Sequence, residues 1–295
     1  MLNIIKTSSL LAIAAFAAAC SVATKKNTEQ KAEEVAVPSL ELLWETDTLL
    51  TTAECAIYDK NTQIIFVANV NLNPWDKDGN GFISKLDLDG NIVSLKWVEG
   101  LHGPKGMEIV GNSLFVNDID QTVEIDIPSG KIVGGTKIGG KPTLNDITAS
   151  SDGTLYASGS NSQKVFRIAD KKVEIFLDGD LGRPNGLLWE KDRLLMLTNN
   201  TQRLMSIDWQ SKEQTVLVDS LGHADGIEAI GDGSYLVSNW KGQLFYISRD
   251  MTKTKLLDTI DEGINAADID YIQEKELLLV PTFFDNRVRA YKLSR

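Results

Sequence analysis

The sequence predicts an all-β chain folded as a six-bladed β-propeller, with four antiparallel strands in each blade. Three observations carry this. A unit made of a polar residue, a short apolar strand, a turn and a second apolar strand recurs with a period near forty residues. From residue 38 onward every segment reads as short strands broken by Gly, Asp and Asn, and no long helical pattern interrupts them. The last unit is short by about one strand, and a strand ahead of the first unit can supply it.

The clearest copies are LGRPNGLLWEKDRLLMLTNN at 181–200, LGHADGIEAIGDGSYLVSN at 221–239, KPTLNDITASSDGTLYAS at 141–158 and HGPKGMEIVGNSLFVND at 102–118. Looser copies stand at 51–68 (TTAECAIYDKNTQIIFVA) and 263–280. The blades fall at residues 52–100, 101–140, 141–180, 181–220, 221–261 and 262–295. Blade four shows the full complement, with strands expected at 186–189, 194–197, 203–208 and 214–218. A strand at 42–46 would complete blade six. Both chain ends would then share one sheet, and the ring would leave no open edge. Residues 39–295 form one domain on this reading.

Residues 1–20 read as a signal peptide. Lys6 supplies its positive charge, residues 10–16 its apolar run, and Ala17-Ala18-Ala19-Cys20 its small-residue cleavage site. The apolar run is too short to span a bilayer. Small residues directly before a cysteine resemble a bacterial lipobox, so Cys20 is the expected lipidation site and the new N-terminus. Residues 21–38, rich in Lys, Glu, Thr and Ala without periodicity, read as a flexible tether. The expected location is outside the cytoplasm, anchored by lipid and facing the periplasm or the cell surface.

A net charge of −11 argues against nucleic acid or anionic lipid as a partner through bulk electrostatics. The expected partner is a small molecule, with membrane contact through the lipid anchor alone and the chain a monomer. With Cys20 acylated, Cys55 has no disulfide partner, and its place beside a strand start suits a buried structural thiol. Two histidines and no CxxC argue against zinc.

Aligning the copies gives the candidate site. The residue before the innermost strand is Glu54, Lys105, Asn145, Asn185, Asp225 and Ala267 in turn, at steps of 51, 40, 40, 40 and 42 residues. The long first step reflects an insertion at 69–81. Equivalent positions on innermost strands face the same way, so these side chains should converge on the central channel. Glu54, Asn145, Asn185 and Asp225 offer hard oxygen donors of mixed charge and no soft donor, which suits one Ca²⁺ with positions left for water and a substrate oxygen. Asn185-Gly186 and Asp225-Gly226 are also common hairpin dipeptides. Yet every copy has its own turn several residues later, and Glu54-Cys55 and Asn145-Asp146 hold the register without being turn dipeptides.

A second calcium candidate is DKDGNGFISKLD at 76–87, which matches an EF-hand loop at Asp76, Asp78, Asn80 and Gly81. Its twelfth position is Asp87 where Glu is usual, Pro74 precedes it and an alternating strand follows it. The competing reading is an insertion closed by an Asp-Gly-Asn-Gly turn. Trp75, Trp97 and Trp240 are expected in blade packing or at a pocket rim.

The segments AECAIYD, LNDITASSDGTLYAS, RPNGLLW and HADGIEAIGDGSYLVSN, with Glu, Asn, Asn and Asp in that chain order, resemble the regucalcin/gluconolactonase group. Its wider superfamily holds diisopropylfluorophosphatase and the paraoxonases, and the resemblance runs from about residue 40 to the end. It implies a calcium-dependent hydrolase of a small lactone or ester, with Glu54, Asn145, Asn185 and Asp225 binding the metal and Asp225 acting as base or nucleophile. Thr143 stands where sugar-lactone hydrolases of the group carry a substrate-binding arginine, which predicts a departure from aldonolactone recognition. Lys105 stands where paraoxonase-like members carry histidine, as a contact for a substrate anion or as a base. His223, two residues before Asp225, would face the same mouth. The same fold and metal would equally serve phosphotriester hydrolysis, or a non-catalytic propeller that binds a ligand around a structural calcium.

Overall fold

The computed structural model describes residues 37–295; the expected signal peptide, Cys20 and the tether up to residue 36 lie outside them. The described chain forms six four-stranded antiparallel sheets, a six-bladed propeller. Blades one to five are built from strands consecutive in sequence, spanning residues 53–101, 104–137, 144–178, 184–218 and 224–258. The sixth sheet takes three strands from residues 270–294, and its outermost strand is Ser39–Glu45. That strand pairs along the last one, from Ser39 opposite Ser294 to Glu45 opposite Arg289. It begins three residues earlier than the apolar pattern suggests, because pairing with Val288–Ser294 sets its length and Leu42 and Leu43 stay about half exposed.

The blades cohere because each packs its inner strands against its neighbours. Six apolar clusters each bridge one adjacent pair, such as Leu195, Leu197 and Leu204 of blade four against Ile227, Tyr235 and Val237 of blade five. The cluster between blades six and one, with Leu277, Leu279 and Val288 against Ile65 and Val67, closes the circle. Trp97 is blade packing, tilted against Phe66 and capped by the Lys85 ammonium 4.0 Å from its ring centroid.

The innermost strands carry an irregularity that matters for the site. In blades one to five their register against the second strand slips between Ala53 and Cys55, Pro104 and Met107, Leu144 and Ile147, Pro184 and Leu187, and Ala224 and Ile227. Each slip brackets the candidate residue. A bulge breaks the two-residue alternation of a strand and re-aims the side chain it carries.

The backbone freed by the bulges finds partners on the second strands. Asn117 donates to the carbonyls of Asn145 and Asp146, Ser158 Oγ accepts from Asp146 N at 3.0 Å, and Ser238 Oγ accepts from Gly226 N at 2.8 Å while donating to Ala267 O. Gly186 is required there for space, since a Cβ would strike the Asp225 carbonyl. Replacing Ser238 by alanine orphans two buried backbone groups, and denaturant unfolding should show a loss of about 1–3 kcal/mol; an unchanged midpoint would mean that the bulge is held by packing alone.

Candidate functional site

Glu54, Lys105, Asn145, Asn185 and Asp225 come together as the floor of one chamber of 410 Å³ at the channel mouth. All five are buried, between 2% and 9% exposed. Blade six contributes no polar group at this level, because Ala267 is packed under Val70, Phe283 and Trp240. The upper walls are Pro74, Trp75, Arg183, Asn199, His223, Trp240, Phe283 and Phe284.

The hydrogen bonds show which atoms are free. Asn185 Nδ2 donates to Asp225 Oδ1, and Asn145 Nδ2 donates to Ser160 Oγ at 3.3 Å. Both amide nitrogens are thereby engaged, leaving both carbonyl oxygens as acceptors. Glu54 Oε2 and Asp225 Oδ2 are buried with no hydrogen-bond partner. Burial pushes the Asp225 carboxyl up to about 7 against the Asn185 bond and the nearby Arg183. Burial, then repulsion from Asp225, lifts Glu54 well above the usual carboxylate range, with Lys105 opposing.

Lys105 is held from the insertion side. Its ammonium donates to Pro74 O at 2.7 Å and Gly103 O at 3.0 Å, and lies 4.2 Å from the Trp75 ring centroid. Burial lowers it to about 8, although Glu54 and Asp118 favour its charge. Two of its three N–H groups are satisfied by these carbonyls, so one remains for a substrate oxygen.

The free oxygens fit a hard cation: two carboxylate and two amide oxygens, with no sulfur or nitrogen donor among them. The set contains only two acidic groups, and among the described residues no three His, Cys, Asp or Glu side chains gather at a metal-sized point. A cation here would therefore rely on the amides of Asn145 and Asn185.

Two of the sequence candidates lie away from this floor. Thr143 does not line the chamber; its backbone sits at φ 49°, and its hydroxyl donates to Pro142 O and accepts from Asn161 N. The 76–87 segment is not wound as an EF-hand loop. Asp76 accepts from Asn73 and Asp78 from Asn80, whereas Asp87 closes a separate turn with Asn91 beyond the extended strand Gly81–Leu86, roughly 20 Å long. His102 accepts from Gly79 N and secures the insertion. His223 does reach the chamber, where its Nδ1 lies 3.2 Å from Asn199 Oδ1. Burial and its neighbours Lys241 and Arg183 lower its pKa, so at neutral pH it is an uncharged ring.

Sequence reasoning missed Arg183, Asn199, Phe283 and Phe284. Arg183 had a signal, since it precedes Asn185 by the same two residues that separate His223 from Asp225.

Below the floor lies a second chamber of 340 Å³, lined by Glu108, Asp146, Glu228, Asp268 and Asp270 among apolar neighbours. Several of these carboxylates staple adjacent blades. Glu108 accepts from Ala149 N, Asp146 from Leu187 N and Asp270 from Tyr58 N, each on the next innermost strand around the ring. Cys55 is a buried free thiol at the same level.

No family model and no curated protein matches the chain. Its fold is shared with solved propellers. A gluconolactonase from Xanthomonas campestris aligns over 86% of this chain and 89% of its own, at 14% identity and a TM-score of 0.69. A putative gluconolactonase aligns over 88% and 93%, at 15% identity and 0.66. A catalytically inactive virginiamycin B lyase from Staphylococcus aureus, solved with quinupristin, aligns over 88% and 100%, at 13% identity and 0.62. At these identities the likeness is one of fold.

Proposed function

We propose that the chain is a calcium-dependent hydrolase of a small lactone or ester. The observation that carries this is the pair of unpartnered buried carboxylate oxygens, Glu54 Oε2 and Asp225 Oδ2, in one chamber with Asn145 and Asn185. Buried anionic oxygens without a partner are costly, and a cation is the partner they suit. Glu54, Asn145, Asn185 and Asp225 would hold it, and when bound it supplies a Lewis acid for the scissile carbonyl.

The chain's own residues supply the remainder. Asn185 fixes Asp225 through Oδ1, so the carboxylate has one orientation, and the lone pair of Oδ2 not turned to the cation is the one that takes a proton from water attacking the carbonyl. The proton returns from Asp225 to the departing alkoxide, leaving acid and alcohol, or the opened hydroxy acid of a lactone. The remaining N–H of Lys105 contacts the oxygen that gains charge. The walls exclude bulk water from the floor.

A second reading, a non-catalytic propeller that binds a small ligand, draws support from Lys105. Its ammonium gives the chamber a positive charge independent of any metal. A panel of lactones, aryl esters and phosphotriesters, with calcium and with chelator, separates the two.

Calcium itself is tested by titration. Saturation at about a hundred times Kd should stabilise the wild type by about 2.7 kcal/mol in thermal unfolding. Asn185→Ala should weaken binding by at least the roughly 10–100-fold that even outer partners of a metal contribute. Equal titrations of the two proteins would remove calcium from the channel.

A further inference from the structure

We infer that the substrate bears a flat aromatic group beside its scissile carbonyl, and that Phe284 is the residue that selects it; this rests on the hydrolase reading above. Trp240 comes from blade five, and Phe283 and Phe284 from a turn of blade six. They form an edge-on cluster with centroids 5.6 Å, 5.7 Å and 4.8 Å apart. All three line the chamber directly above the oxygen floor.

Phe284 is 61% exposed although it belongs to this packed cluster. Its presentation is built. Phe283 sits at φ 44°, a left-handed conformation that is unusual for a bulky residue. Phe283 N donates to Ala53 O at 3.1 Å, Asn286 N donates to Phe283 O at 3.1 Å, and Asn265 Oδ1 accepts from Phe284 N. These bonds hold the turn that carries Phe284 to the mouth.

The polar groups of the mouth are poorly placed to receive a polyhydroxylated ring. Asn199 Oδ1 is shared between Arg183 and His223, Thr143 is turned away, and two N–H groups of Lys105 are spent on backbone carbonyls. On the Trp240, Phe283 and Phe284 side a sugar's hydroxyls would lose water against an apolar wall, whereas an aromatic ring gains edge-to-face contacts there.

The test compares phenyl acetate and a benzo-fused lactone with gluconolactone and γ-butyrolactone, using the calcium-loaded chain. Wild type should favour the aromatic substrates in kcat/KM by at least tenfold. Phe284→Ala should raise their KM roughly three- to tenfold with kcat nearly unchanged, and should change the KM for γ-butyrolactone by a clearly smaller factor. Quenching of tryptophan fluorescence by phenylacetate gives a readout independent of turnover, and the variant should bind it correspondingly more weakly. A preference for gluconolactone, or an unaltered KM for phenyl acetate in the variant, overturns the inference while the hydrolase reading stands. If no ester or lactone turns over yet phenylacetate binds wild type and not the variant, the hydrolase reading falls and the aromatic-binding wall remains.

Discussion

Asp225→Asn is expected to lower kcat for lactone or ester hydrolysis by about 10²–10⁴-fold, the usual loss when a general base is removed. The substitution isolates chemistry from structure. An asparagine at 225 keeps an oxygen to accept the Asn185 amide, so the innermost strands should retain their arrangement. It removes an acid whose pKa burial has already raised to about 7, so the cost of burying its charge disappears. Without calcium, the thermal midpoint of the variant above pH 7 should therefore equal or exceed that of wild type. With calcium, wild type should gain more, because the variant has lost an anionic donor. Steady-state kinetics and thermal unfolding, each with calcium and with chelator, check the two halves. Equal turnover by both proteins on every substrate would favour the ligand-binding reading.

The second large effect concerns pH. Between about pH 4.5 and 7 the metal-free protein should lose stability as pH rises. Burial lifts Glu108 to about 7 against its bonds from Ala149 N and Ile109 N, and lifts Asp270 to about 6 against the bond from Tyr58 N. Burial, then repulsion from Asp270 and Glu108, raises Glu228 well above its ordinary value. The native state thus keeps protons that the unfolded chain has released. Each such group contributes stability that is complete below its unfolded pKa and is lost as pH climbs to its folded one. The slope is about 1.4 kcal/mol per pH unit per group, so Glu108 alone accounts for at most about 3 kcal/mol. Glu108→Gln should flatten the pH profile. Near pH 7.5 it should be more stable than wild type by about 2 kcal/mol, after roughly 1 kcal/mol is subtracted for one lost backbone bond. For a domain of this size that is roughly 4–8 °C in Tm. An identical pH slope in the variant would mean that Glu108 titrates as a solvated acid.

The ring and its floor were legible because a propeller writes its geometry as a period. Equal spacing of Asn145, Asn185 and Asp225 places them at equivalent points of successive sheets, and the added insertion accounts for the long step from Glu54 to Lys105. The bulges that re-aim these side chains were not legible, since a one-residue slip leaves the apolar pattern intact. Their support was written in plain view: Asn117, Ser158 and Ser238 recur at one register of the second strands. Thr143 was placed by position alone, and position does not reveal the backbone torsion that turns it aside. Phe283 and Phe284 lie in the incomplete blade, where the repeat offers no template and a left-handed turn decides what reaches the mouth.

The shared sixth sheet has a consequence for how the molecule is made. Ser39 and Ser294 are paired although the whole of five blades separates them along the chain. Ribosomal synthesis releases the N-terminal strand first and its partner last, so this sheet cannot be completed while the chain is growing. Contacts of such sequence separation are slow to form. The circle should therefore lock as a late event, with Ser39–Glu45 waiting as an unpaired edge until Val288–Ser294 emerges.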